Sequence, residues 1–117
     1  MRSRGDGGED LARRVLERAC YFILMNNFCV RGGEIDIVAR APNGAIVFVE
    51  VKFRTREPED HRSLVPRLKL MRMQRAARGF LVKHALRERI RFDLILLVPD
   101  VHGTKKAHVF WYKNIVG

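Results

Sequence analysis

The feature that most constrains the fold is the segment "GGEIDIVARAPNGAIVFVEVKFR", Gly32 to Arg54. Two runs alternate with a period of two around "APNG", the pattern of two antiparallel strands joined by a tight turn. In 34–39, Glu34, Asp36 and Val38 share one face, while Ile35, Ile37 and Ala39 share the other. In 46–53, Ile46, Phe48, Glu50 and Lys52 lie on one face and Val47, Val49, Val51 and Phe53 on the opposite one. Each strand therefore has one apolar face and one that becomes charged toward the same end of the hairpin.

The turn decides whether those charges meet. A two-residue loop at Asn43-Gly44 pairs Asp36 with Val51 and puts the two acids on opposite sides. A three-residue loop, Pro42-Asn43-Gly44, with Gly44 left-handed, pairs Asp36 with Glu50 and Glu34 with Lys52. Pro first and Gly last suit the longer turn. In that register two carboxylates and an ammonium converge. One account is a solvated polar patch neutralised by Lys52. The other is a metal site, because two close carboxylates repel unless a cation sits between them. Oxygen-only ligands select Mg²⁺ or Mn²⁺, which would polarise a phosphodiester, with Lys52 orienting water or stabilising negative charge.

Around the hairpin, Leu11, Val15, Leu16, Ala19 and Ile23 mark an amphipathic helix from about Glu9 to Ala19 or Cys20. Glu9 and Asp10 are favourably placed in its first turn. Residues 1–7 form a Gly-rich lead-in expected to be disordered, and 8–117 a single domain. "YFILMNNFCV" is strand-like, and 55–64 reads as a loop. A second helix is predicted from about Pro66 to Arg87, with Pro66 suited to its first turn and Leu70, Met73, Ala77, Phe80, Leu81 and His84 on one face. "RFDLILLVP" reads as a buried strand, "DVHGTKK" as a turn, and "AHVFWYKN" as an edge strand. The order α-β-β-β-α-β-β implies an α/β domain with a mixed central sheet flanked by helices.

The 117 residues carry 23 Lys+Arg against 13 Asp+Glu, a net charge of +10. A folded domain this basic points to phosphate partners. The second helix and its exit contribute Arg67, Lys69, Arg72, Arg75, Arg78, Lys83, Arg87, Arg89 and Arg91 against Glu88 alone. Lys69, Arg72, Arg75 and Lys83, with Arg54 at the hairpin's end, are the candidate nucleic-acid contacts. Such contacts are salt-sensitive and read no bases. Trp111 and Tyr112 read as edge packing. No apolar run approaches the roughly 20 residues of a membrane-spanning helix, so no membrane span is expected. Without a signal-peptide pattern the expected location is cytoplasmic. Cys20 and Cys29 read as reduced, packed thiols, and scattered His61, His84, His102 and His108 argue against zinc.

Asp36 followed by Glu50-x-Lys52 resembles the signature of the PD-(D/E)xK nucleases, with Ile35 replacing the usual proline. The likeness to the YraN-like family of small bacterial proteins is more specific and runs from Gly8 to about Val116. It includes "GED-LA", Asn27, "GEIDIVAR", "VFVEVKFR", Val65 with Lys69, Ala76-Ala77 and "RFD". That resemblance implies a restriction-endonuclease-like fold similar to archaeal Holliday-junction resolvases. By the same likeness Asp36 and Glu50 match metal-binding acids and Lys52 the catalytic lysine. Glu9 would complete the metal set, with Glu17 as the alternative. Glu34 would partner Lys52, and Lys69 would reach the site or a phosphate. The implied activity is Mg²⁺- or Mn²⁺-dependent hydrolysis of nucleic acid, DNA favoured and RNA possible, by a possible homodimer. The alternatives are a binding module without turnover and a basic interaction protein. Cys20 stands where the family usually has glycine, Cys29 where it has a basic residue, and the segment after Arg56 is short.

Overall fold

The computed structural model describes residues 5–100 and 106–116. Its elements run α1 (Gly5–Arg18), β1 (Phe22–Val30), β2 (Gly33–Arg40), β3 (Ile46–Phe53), α2 (Arg67–Lys83), β4 (Ile90–Pro99) and β5 (Ala107–Tyr112). The five strands form one sheet in sequence order. β3 and β4 are parallel, bridged by the crossover that contains α2, and every other pair is antiparallel. This is the α/β arrangement that the sequence implies, with β5 at an edge.

The sheet is buried on both faces. α1 lays Ala12 and Leu16 against Ile37, Ala39, Val47, Val49, Ile95 and Leu97. On the other face Met73, Ala76, Ala77 and Phe80 of α2 pack on Phe28, Val38, Ile46, Phe48 and Phe92. The segregation follows from alternation: Val47 and Val49 face α1, and Ile46 and Phe48 face α2. Glu50 continues the second set.

The hairpin turn has three residues. Ala41 N donates to Ala45 O at 2.8 Å, Gly44 N to Ala41 O at 2.8 Å, and Ala45 N to Asn43 Oδ1 at 3.0 Å. Gly44 has φ 92°, a left-handed conformation that costs glycine little. The register runs Arg40–Ile46 to Ile37–Val49, so its continuation brings Asp36 opposite Glu50.

Several boundaries differ from the expected ones. α1 begins at Gly5, not Glu9, so part of the expected lead-in is helical; residues 1–4 lie outside the described set. A β-carbon on Gly8 would sit 1.9 Å from the Phe53 ring, so this glycine is a point of close helix–strand approach. α2 stops at Lys83, four residues short of Arg87. There Leu86 N donates to Leu81 O at 2.9 Å and Ala85 turns left-handed at φ 53°, closing the last turn as a Schellman motif. Within the expected loop, His61–Leu64 forms a short 3-10 helix, capped by Asp60, whose carboxylate accepts from Arg62 N at 3.0 Å. Most of the expected turn after Pro99, residues 101–105, lies outside the described set.

α1 ends in the same way: Tyr21 N donates to Leu16 O at 2.9 Å while Cys20 takes φ 67°. A non-glycine residue in that conformation is strained. Cys20 and Cys29 are both exposed, not packed as expected. Cys20 is the capping residue, and Cys29 lies on an edge strand. Cys20→Gly is therefore expected to stabilise the fold by about 0.5–1 kcal/mol, the strain relieved less the added unfolded-state entropy. Thermal unfolding should show a midpoint higher by a few degrees; an unchanged or lower midpoint would contradict it.

Candidate functional site

The antiparallel ladder between β2 and β3 ends at Ile37–Val49. Beyond it β2 turns sharply. Ile35, expected on the same face as Ile37 and Ala39, packs instead with Phe28 and Phe48 under α2. Left-handed Asn27 (φ 53°), between the pairs Asn26–Ile37 and Phe28–Ile35, makes the matching bend in β1. Where β2 departs, the Asp36 carboxylate takes over from the backbone. Its Oδ2 accepts from Val51 N at 2.8 Å, a donor that a continued ladder would give to Ile35.

Glu50 sits at this divergence, toward the C-terminal end of β3, and is only 2 % exposed. With Asp93 it is one of two buried charged residues among those described. Its Oε2 lies 3.2 Å from Lys52 Nζ and 3.5 Å from Lys69 Nζ. Its Oε1 is buried with no hydrogen-bond partner. Asp36 and Glu50 are within hydrogen-bond reach of each other. Burial first, then the Glu50 charge and its hydrogen bond, push Asp36 from 3.8 up to about 7; Val51 N opposes this, and the Glu9 charge adds to it. Either a proton shared by the two carboxyls or a cation between them relieves the repulsion. The unsatisfied Oε1 and the two-carboxylate donor set fit a hard divalent cation.

The sequence-predicted residues divide as follows. Asp36, Glu50 and Lys52 come together as the three-residue turn requires. Glu9 is felt by Asp36 through space, but α1 packs on the face of the sheet opposite Glu50. Among the described residues no three His, Cys, Asp or Glu side chains gather at metal-holding distance. Glu34, expected beside Lys52, is carried by the bend in β2 to Lys69, with Oε1 3.2 Å from Nζ. Lys69, anticipated as a site or phosphate contact, belongs to the site itself. Burial pulls its pKa down, but Glu50, Glu34 and Asp36 outweigh this and raise it, so it remains an ammonium. Its place in the first turn of α2, behind Pro66, was the available signal. Arg54, Arg72, Arg75 and Lys83 are exposed. Lys83 also lies 5.9 Å over the Phe28 ring.

One buried charge is unrelated to this site. Asp93, 0 % exposed, accepts from Arg91 Nε (2.9 Å) and Nη2 (2.8 Å), Trp111 Nε1 (2.9 Å) and Asn114 N (3.0 Å). Arg91 Nη2 also donates to Tyr21 Oη at 2.7 Å, and Tyr21 meets Trp111 edge-on at 5.0 Å. Trp111 is thus packed as the sequence suggests. Tyr112 stacks on His61 at 4.3 Å and donates to Glu57 Oε2 at 2.6 Å.

The sequence model described as "Uncharacterised protein family UPF0102" matches residues 8–97. The chain belongs to this family. A UPF0102 protein of Methylibium petroleiphilum is 37% identical over 116 residues, covering 93% of this chain and 89% of its own length. A UPF0102 protein of Geobacter metallireducens is 47% identical over 110 residues, covering 92% and 89%. This is the family to which the YraN-like resemblance points. Every residue of the UPF0102 chain's acidic site, Glu34, Asp36, Glu50, Lys52 and Lys69, lies within the matched span. Among solved structures, a chain of the EndoMS–dsDNA2 complex is 17% identical with a TM-score of 0.34, covering 77% of this chain and 46% of that one. That likeness is too distant to carry an inference. No helix of the described residues is long and apolar enough to cross a membrane.

Proposed function

We propose that this UPF0102 protein binds nucleic acid, DNA in the first instance, and hydrolyses its phosphodiester bonds with Mg²⁺ or Mn²⁺. The observation that carries the reading is Glu50: a buried carboxylate with one unsatisfied oxygen beside Asp36, and two ammonium groups on the other oxygen. Such an arrangement destabilises a fold unless the charge is used. Asp36 and Glu50 would hold the cation, which supplies Lewis acidity toward the phosphodiester and lowers the pKa of a bound water. Lys52, 26 % exposed, places its ammonium at the mouth of the site, where it can hold a phosphate oxygen and offset developing negative charge. Lys69 fixes Glu50 from the α2 side. Arg54, Arg72, Arg75 and Lys83 offer sequence-independent phosphate contacts.

A second reading is binding without turnover. It is favoured by the two ammoniums on Glu50 Oε2, which already neutralise one of the two acids.

Two measurements test these readings. Fluorescence anisotropy should show affinity for polynucleotides falling roughly a hundredfold between about 50 and 200 mM salt, if four phosphates are contacted. Binding indifferent to salt overturns both readings. Incubation of duplex, branched and single-stranded substrates with Mn²⁺ or Mg²⁺ should give cleavage that chelator stops. Salt-sensitive binding with no cleavage on any substrate leaves only the second reading.

A further inference from the structure

Beyond the acidic site, the exposed side of α2 carries more than charge. Leu68 is 76 % exposed and Met71 51 %. They stand three residues apart, one turn of helix, and interleave with Lys69 and Arg72. Together with Arg75 and Arg78 these side chains line a groove of about 570 Å³ between α2 and the turn joining β1 to β2. The hairpin fits closely there because Gly33 has no side chain: a β-carbon would lie 2.4 Å from Arg72 O. Lys69, Arg72, Arg75 and Arg78 recur every third residue over about 13.5 Å of helix axis. Lys69 belongs to the groove and also reaches Glu50 at 3.5 Å, so this side chain links the groove to the acidic pair.

We infer that this groove takes a single-stranded polynucleotide, its phosphates on the arginines and its bases on Leu68 and Met71. The inference rests on the nucleic-acid reading of the acidic site and names the form of substrate. Cations alone would suit any phosphate backbone. The interleaved apolar side chains make the difference. A duplex presents its phosphates and sugars outward and keeps its bases stacked inside, so Leu68 and Met71 would meet a charged ridge. An unpaired strand can turn base faces onto them and remove both surfaces from water, while its phosphates follow the arginines. A substrate seated this way delivers its backbone to Lys69 and then to Glu50 and Asp36.

The test compares a labelled oligothymidine with a blunt duplex of equal length, for wild type, a Leu68→Ser/Met71→Ser variant and an Arg72→Gln/Arg75→Gln variant. All four positions are exposed, and thermal unfolding checks that each variant is folded. The wild type should prefer the oligothymidine. The apolar variant should lose roughly tenfold in affinity for it, the effect of partly burying two such side chains, with duplex affinity and salt slope unchanged. The arginine variant should lose affinity for both and show a shallower salt slope. Equal loss on both substrates, or no loss, in the apolar variant overturns the inference while leaving the acidic-site reading intact. Phosphatidylglycerol vesicles provide a further arm. If vesicle binding needs Leu68 and Met71 while oligothymidine binding does not, the surface serves a membrane and the inference fails. Absence of salt-sensitive binding to any polynucleotide overturns this inference and the functional reading together.

Discussion

Asp93→Ala is expected to destabilise the fold by about 3–5 kcal/mol, the range for removing one partner of a buried ion pair. Four donors converge on this fully buried carboxylate, from β4, from β5 and from the segment after β5. Arg91 is its neighbour along β4, Trp111 belongs to edge strand β5, and Asn114 N lies in the segment that follows. Through Arg91 the network reaches Tyr21, at the entry to β1. The Asp93 carboxylate is the main reason Arg91 titrates above its ordinary range. Without it an arginine, an indole N–H and a backbone N–H lose their acceptor at once. The 21 % exposure of the Arg91 side chain lets the guanidinium recover some hydration, which favours the lower half of the range. Denaturant titration measures the effect. Trp111→Phe, which removes one donor and keeps most of the ring, should cost about 1 kcal/mol. A loss below about 1 kcal/mol for Asp93→Ala would show that the network is not a fastening point.

The two buried acids were unequally legible in the sequence. Glu50 could be found because alternation puts it on a face with Lys52, and the length of the Pro42-Asn43-Gly44 turn sets its partner across the hairpin. Both arguments are local. Asp93 gave a local signal too, an acid two residues from Arg91 on the same face of an otherwise apolar strand. Its other donors, however, come from 18 and 21 residues further on, and no periodicity connects them. The bend at Asp36 escaped prediction for a related reason. It depends on Asn27 adopting a left-handed conformation on the neighbouring strand and on a side chain replacing a backbone acceptor. Both are cross-strand events that alternation along one strand cannot reveal. Glu34 and Lys69 follow from that bend, since it separates Glu34 from Lys52 and delivers it to the first turn of α2. Helix and strand types, set by repeating patterns, were legible nearly throughout. The helix ends were less so, because Cys20 and Ala85 occupy left-handed capping positions that glycine would have announced.

Glu50→Gln is expected to abolish divalent-cation-dependent cleavage, by upward of about a hundredfold, since even outer-shell partners of metal ligands are worth 10–100-fold. The same variant, with Asp36→Asn, tests whether the pair holds a cation at all, by a readout independent of catalysis. Without a cation Asp36 titrates near 7 against an ordinary 3.8. In that interval the folded state binds more protons than the unfolded one. This group's contribution to stability is therefore fully present below about pH 4, and it is lost as pH rises through about 7. The thermal midpoint of the metal-free protein should fall between pH 5 and 8 from this cause, and Asp36→Asn should flatten the fall. Above pH 7 the Asp36 carboxyl has lost its proton beside Glu50, whose Oε2 meets Lys52 and Lys69 while its Oε1 has no partner, so a divalent cation has most to stabilise there. Mn²⁺ should raise the midpoint at pH 8 and do little at pH 5, where protons already occupy the pair. Both Glu50→Gln and Asp36→Asn should lose that rise. An equal rise in wild type and both variants would place Mn²⁺ elsewhere on the protein. No rise at any pH in wild type would mean that the pair does not hold Mn²⁺, and hydrolysis by a cation held at this pair would fall with it.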